Sequence, residues 1–303
     1  MADQLNANLS RFSAYKAAHV EKAFNDILND PKMTDEQRRV AVRAAEEKFA
    51  RWTDAEYNTA TARCITAEQF AEFNDPEHTS LFPNLEWLAT RSTNPREEHQ
   101  AFVGLILPKS HDFWRTHTPG TEWNCKCDLA ETDDPATKAA NLPTAKVPKG
   151  LEGNPFYTGE VFTNKVGYLR NAAATIKDIN SMGRNKLKTE FKSVKETVQC
   201  VAGTIKIDGQ SYAEIAQANI CENAYWLKIE IAKNFERYAN RLVFQKSEAV
   251  DLNHNKYGSK AYKRKKGFRQ MNKYHLTIGN KTFIVKMGEC DNGDLMLYTI
   301  YQK

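Results

Sequence analysis

Two cysteines separated by one lysine, Cys125 and Cys127, close a stretch that also carries His99, His111 and His117. Two thiolates so close together can chelate one metal ion, and an imidazole from this stretch can help complete a tetrahedral site. Cys125, Cys127, His99 and His117 are the candidate ligands, with a structural zinc as the ion such a set suits. A second reading stays open, in which the thiols pack as small apolar groups and the histidines cap turns. An intramolecular disulfide across a single residue is strained. Six cysteines in 303 residues do not make a disulfide framework.

The other concentration of chemistry lies at residues 256–273, which hold eight cations and no acid, interleaved with Tyr257, Tyr262 and Phe268. Lys256, Lys260, Lys263, Arg264, Lys265, Lys266, Arg269 and Lys273 can neutralise phosphates, while the rings can stack on unpaired bases. A solvated charge run is the alternative. The run leads straight into the segment bearing His275.

Elements that must position these residues follow from the wider pattern. A length of 303 residues allows two domains. Residues 141–303 carry 27 Lys and Arg against 15 Asp and Glu, whereas the preceding residues carry 16 against 23. An acidic part joined to a basic part points to domains with different partners. No stretch approaches roughly 18 uninterrupted apolar residues, so no membrane span or membrane partner is expected. The opening MADQLNANLSRF lacks the basic-then-apolar layout of a secretory leader, so folding in a reducing cytoplasm is expected.

The first 75 residues read as helix. Thr34 and Gln37 have the form of a capping box, and Val42, Ala45, Phe49 and Trp52 follow at helical spacing. Pro76, Pro83, Pro95, Pro108 and Pro119 then break helix. Residues 133–155 are rich in Pro, Ala and Gly without apolar period, which predicts a linker at 136–155 between domains at 1–135 and 156–303. Beyond it, Ile220, Ala224, Leu227, Ile231, Phe235 and Tyr238 form a helical stripe. The last thirty residues change to period two in three runs separated by GNK and CDNGD turns, an antiparallel meander. The expected class is α+β, mainly helical first and helix plus antiparallel sheet second.

The span of about residues 50–130 resembles the Mu F-like (SPP1 gp7-type) phage minor head protein domain. The resemblance rests on Arg63, Trp87-Leu88, Arg91, Arg96, His99, Gly104, Asp112, Pro119, Asn124, Cys125 and Cys127. Ser92-Thr93-Asn94 departs from it, standing where an acidic residue is usual. It implies a role in head morphogenesis, with phage portal and head proteins as partners and the virion as location.

Residues 155–303 resemble the barnase–EndoU–colicin–RelE group of small ribonucleases. The features are the NPFYTGEVF lead-in and a helix followed by a meander that contains a basic loop. The resemblance implies a toxin acting on RNA (tRNA among the possible targets) in the host bacterial cytoplasm, with an immunity protein as a possible partner and no cofactor. Cleavage of RNA without metal needs a base for the 2′-hydroxyl proton, an acid for the leaving oxygen and cations on the phosphorane. His254 and His275 suit the proton transfers. Arg264 and Arg269 suit bidentate phosphate clamps. Alternation along 273–279 turns His275 away from Tyr274, Leu276 and Ile278. Lys286, Thr299 and Tyr301 share its face if the register allows. The rival expectation is a structural minor head protein whose basic domain binds packaged DNA without cutting it.

Overall fold

A computed structural model describes residues 1–138, 142–167, 189–216, 223–253 and 256–303. Ile220 and His254, both singled out above, lie outside the described residues. The chain is α+β and divides into two compact units. One comprises Tyr15–Ala173 with Met1, and the other comprises Ala2–Ala14 with Ala174–Lys303. Helix α1 (Ala2–Leu28) therefore contributes its first half to the second unit and its remainder to the first.

In the first unit, α2 (Asp35–Phe73) starts at the expected capping box. The Thr34 hydroxyl accepts from the Gln37 N–H at 3.2 Å, and the Gln37 side chain accepts from the Thr34 N–H at 2.8 Å. Its buried positions, Phe49, Glu56, Thr59, Arg63, Thr66, Phe70 and Phe73, recur at helical spacing. Of the polar ones, Thr59, Arg63 and Thr66 grip loop backbone. After α3 (Pro76–Leu81), strand β1 (Asn84–Leu88) forms the centre of a small antiparallel sheet. It pairs with β2 (Ile106–Pro108) on one side and β3 (Asp128–Thr132) on the other. Single-turn helices α4 (Glu97–Gln100) and α5 (Phe113–Thr116) lie between the strands in sequence. Phe70, Phe73, Leu85, Trp87, Phe102, Leu105, Leu107, Phe113, Trp114 and Leu129 form the core.

The linker expected at 136–155 is corrected. Leu151 and Val161 are fully buried, and Leu142, Ala145 and Phe156 pack against the first unit's core. The Asn154 N–H donates to the Arg115 carbonyl at 2.9 Å, opening α6 (Pro155–Thr158). A stretch without apolar period is thus held by hydrogen bonds and isolated anchors, which periodicity does not register.

In the second unit, the sheet has six strands in the order β4 (Lys195–Cys200), β5 (Gly203–Asp208), β9 (Leu295–Gln302), β8 (Lys281–Glu289), β7 (Gln270–Ile278) and β6 (Val243–Glu248). The expected meander is β7–β9. The β4–β5 hairpin and edge strand β6 extend it, and the β5–β9 pair is parallel, so the sheet is mixed rather than wholly antiparallel. Helices α7 (Gly209–Ile215), α8 (Asn223–Lys233) and α9 (Glu236–Ala239) precede β6 in sequence. The expected stripe is buried at Leu227, Ile231, Phe235 and Tyr238, as are Leu276, Phe283, Val285, Leu297 and Ile300 of the sheet. A last short helix, α10 (Lys260–Lys266), carries most of the basic run and is capped by the Ser259 hydroxyl.

Candidate functional site

In the first unit, the Cys-Lys-Cys segment is positioned from α2. The Thr59 hydroxyl accepts from the Asn124 N–H at 3.0 Å, and the Thr66 hydroxyl donates to the Pro119 carbonyl at 3.1 Å. Asn58 bonds the Asn124 side chain at 3.2 Å. Asn124 has φ of 55°, the left-handed region that Asn tolerates better than most side chains. Arg96 reaches from the start of α4 to Glu122 at 3.2 Å and to the Trp123 carbonyl at 2.6 Å. Arg91 pairs with Asp128 at 2.6 Å. The loop before β3 is thereby fixed from three sides.

This framework brings His99, Cys125 and Cys127 together, with their ligand atoms all within 4.8 Å of one another. His99 Nδ1 lies 3.7 Å from Cys125 Sγ and 3.5 Å from Cys127 Sγ. Cys125 and His99 are buried and Cys127 is half-buried. The hydrogen bond from Cys127 pulls the pKa of the Cys125 thiol well down. Burial opposes that shift, and His99 and the backbone at Gly120 and Cys127 reinforce it. Cys127 is pushed up by the same bond and by burial, while the Trp87 indole N–H and Thr90 favour its thiolate. His117 does not join them. Its ring stacks on Phe113 at 4.9 Å and its Nδ1 meets the Thr116 hydroxyl at 2.8 Å. His111 Nδ1 accepts from the Phe113 N–H at 3.1 Å.

In the second unit, the register groups the expected sheet residues. Lys273 stands opposite Lys286, which stands opposite Thr299. His275 stands opposite Ile284, which stands opposite Tyr301. Residues opposite one another, and residues two apart on a strand, share a face. His275, Lys273, Lys286, Thr299 and Tyr301 thus share one face, and Tyr274, Leu276 and Ile278 take the other. All five are half-buried. Lys286 Nζ is 3.6 Å from Glu248 and 6.0 Å from the Tyr301 ring centre. Glu248 was not among the expected residues, because β6 shows no alternation that separates it from a solvated loop. Its carboxylate bonds Lys246 at 2.8 Å, and that contact, with Lys286 and Lys273 adding, holds its pKa below the usual range.

The basic run divides. Lys256, Lys260, Lys263 and Lys266 are exposed. Lys265 Nζ donates to the Asp251 carbonyl at 3.0 Å. Arg264, expected as a phosphate clamp, is instead 8% exposed and bonds the Ser211 hydroxyl at 2.9 Å, the Leu297 carbonyl at 3.0 Å and Asp208 at 3.0 Å. Arg269 is exposed but ion-paired with Glu289. Phe268 is not a stacking platform: it packs with Met271 and Tyr298, and its ring lies where a side chain on Gly288 would stand. Tyr257 is 84% exposed and meets Tyr262 at 5.0 Å. Among the described residues, no helix is long and apolar enough to cross a membrane.

No protein-family model matches the chain, and no solved structure matches it. The chain is similar to the putative capsid assembly protein F of Escherichia phage Mu, 25% identical over 115 residues, which is 35% of this chain and 25% of that protein. The likeness therefore spans about a quarter of that relative's length.

Proposed function

We propose that this chain is a phage head protein whose second unit cleaves RNA on the His275 face of its sheet. The similarity to a capsid assembly protein supports the head role, with portal and head proteins as partners and the virion as location. One observation carries the cleavage reading: His275 shares a sheet face and register with Lys273, Lys286, Thr299 and Tyr301. His275 acts there as general acid or base near neutral pH. Lys273 and Lys286 offset the charge that develops on the phosphorane, and the Thr299 and Tyr301 hydroxyls donate to its oxygens. No cofactor enters this chemistry. Exposed lysines of α10 steer the strand, with Tyr257 and Tyr262 available for stacking. In this reading the unit is a toxin acting on RNA, tRNA included, in the host bacterial cytoplasm, and an immunity protein is its natural antagonist.

The test incubates the purified full chain with single-stranded RNA and with DNA, in the presence of chelator, beside its His275→Ala variant. RNA cleavage by the parent and its loss in the variant support the proposal. A second reading, passive binding of packaged DNA, is favoured by the ion pairing of Arg269 and the burial of Arg264, which leave lysines as the free cations of the run. Salt-sensitive binding to both nucleic acids with cleavage of neither selects that reading.

A further inference from the structure

We propose that His99, Cys125 and Cys127 hold one zinc ion that cross-links the loops of the first unit. Bond lengths of about 2.3 Å to sulfur and 2.0–2.1 Å to nitrogen at a tetrahedral angle set the two ligand atoms about 3.6 Å apart. The observed separations from His99 Nδ1 to the two sulfurs are 3.7 and 3.5 Å. Three donors converge from chain segments fixed by other bonds, His99 through Arg96 and α4, the cysteines through Thr59 and Asn124. Two thiolates and a neutral imidazole around a divalent cation carry no net charge, which suits a buried position.

The surroundings fit a metal-thiolate better than apolar packing of thiols. The Trp87 indole nitrogen is buried without an ordinary hydrogen-bond partner, and Cys127 packs against the core cluster to which Trp87 belongs. The Trp87 ring centre lies 6.5 Å from that of His99, and a buried N–H donor beside such a ligand set can serve as an outer-shell group that orients metal ligands. The described residues supply three ligand atoms, and the fourth tetrahedral position is left to a further donor such as water. The benefit to the fold is specific: β1, β2 and β3 are short, and a cross-link between α4 and the segment entering β3 closes the intervening loops.

The test needs no nucleic acid, so its outcome is independent of the cleavage reading. The full chain is purified under reducing conditions from zinc-supplemented culture and its metal measured. About one zinc per chain is expected, lost in His99→Ala and Cys127→Ser and retained in His117→Ala. Cobalt added to the chelated chain should give sulfur-to-cobalt charge-transfer absorption, a result that decides the matter even if the variants fail to fold. A folded parent chain with free thiols that takes up neither metal overturns the proposal, as does a disulfide between Cys125 and Cys127.

Discussion

Arg63 Nε donates to the carbonyl of Val161 at 2.6 Å, across 98 positions of sequence. The same guanidinium reaches the carbonyls of Leu151 at 2.9 Å, Gly153 at 2.8 Å, Glu160 at 3.3 Å and Gly120 at 3.4 Å. All five of its N–H donors are therefore used. The side chain is fully buried, which lowers its pKa to about 10, still far above neutral. One residue of α2 thus holds both the loop before the cysteines and the segment after β3.

Arg63→Met should orphan these carbonyls, at about 1–3 kcal/mol each. The total is comparable with a domain's whole stability of about 5–15 kcal/mol. Arg63→Lys should fail almost as badly, since an ammonium has three donors and no planar fork. Gly120→Ala should also destabilise the unit, because its Cβ would come 2.8 Å from Arg63 Cγ at a φ of +87°. Thermal unfolding of the full chain reads all three. Near-parental midpoints would show that the Arg63 bonds are incidental.

The position of the first unit's end gives a second prediction. Because residues 142–166 pack on that unit, limited proteolysis should leave 150–163 uncut, and the fragment retaining Arg63 should include them. A fragment ending at residue 138 should aggregate. Early cleavage at 150–155, identified by mass spectrometry, would instead restore the linker read from composition.

What was legible in the sequence was local. The Thr34–Gln37 box, the alternation around His275 and the convergence of His99 with Cys125 and Cys127 each rest on spacing or chemistry within a short segment. The misreadings share a cause, which is that distant partners decide burial. Arg264 sits among Lys263, Lys265 and Lys266 and looks like them, yet Asp208 and Ser211 draw it inward. Asp3 shows the same effect at greater range. It lies in an N-terminal helix but is buried in the second unit, accepting from Tyr238 and from Asn234. No period in either segment announces that pairing, so the sequence alone groups residues 2–14 with the helices that follow, whereas they pack in the second unit.

A third prediction concerns acid. Burial opposes ionisation of Glu152, yet the Thr163 hydroxyl, backbone N–H groups at Glu152 and Gly150, and Lys165 outweigh it and bring the carboxyl to about 2. A depressed folded-state pKa contributes stability that is present above the unfolded value of about 4.5 and lost as pH falls toward 2. Glu152→Gln should therefore lower the first unit's stability at pH 7 and flatten its decline between about pH 4.5 and 2. Parallel denaturation curves for parent and variant across that window would remove Glu152 as the cause.

The sheet face gives the last prediction, in which each residue class should fail in its own way. His275→Ala should leave RNA affinity nearly unchanged and lower cleavage about 100-fold or more, the usual worth of a general acid or base. Lys286→Ala should cost about 10²–10³ in turnover if it stabilises developing charge, and it leaves the Glu248 carboxylate with Lys246 as its ion-pair partner. Lys263→Ala, on exposed α10, should weaken binding to all sequences alike and reduce the salt slope by about 0.7, the single-strand value per phosphate. Arg264→Ala should behave unlike all three, lowering thermal stability through Asp208 and Ser211 before any effect on binding is seen. Cleavage that survives both His275→Ala and Lys286→Ala in folded protein would move the active groups off this face altogether.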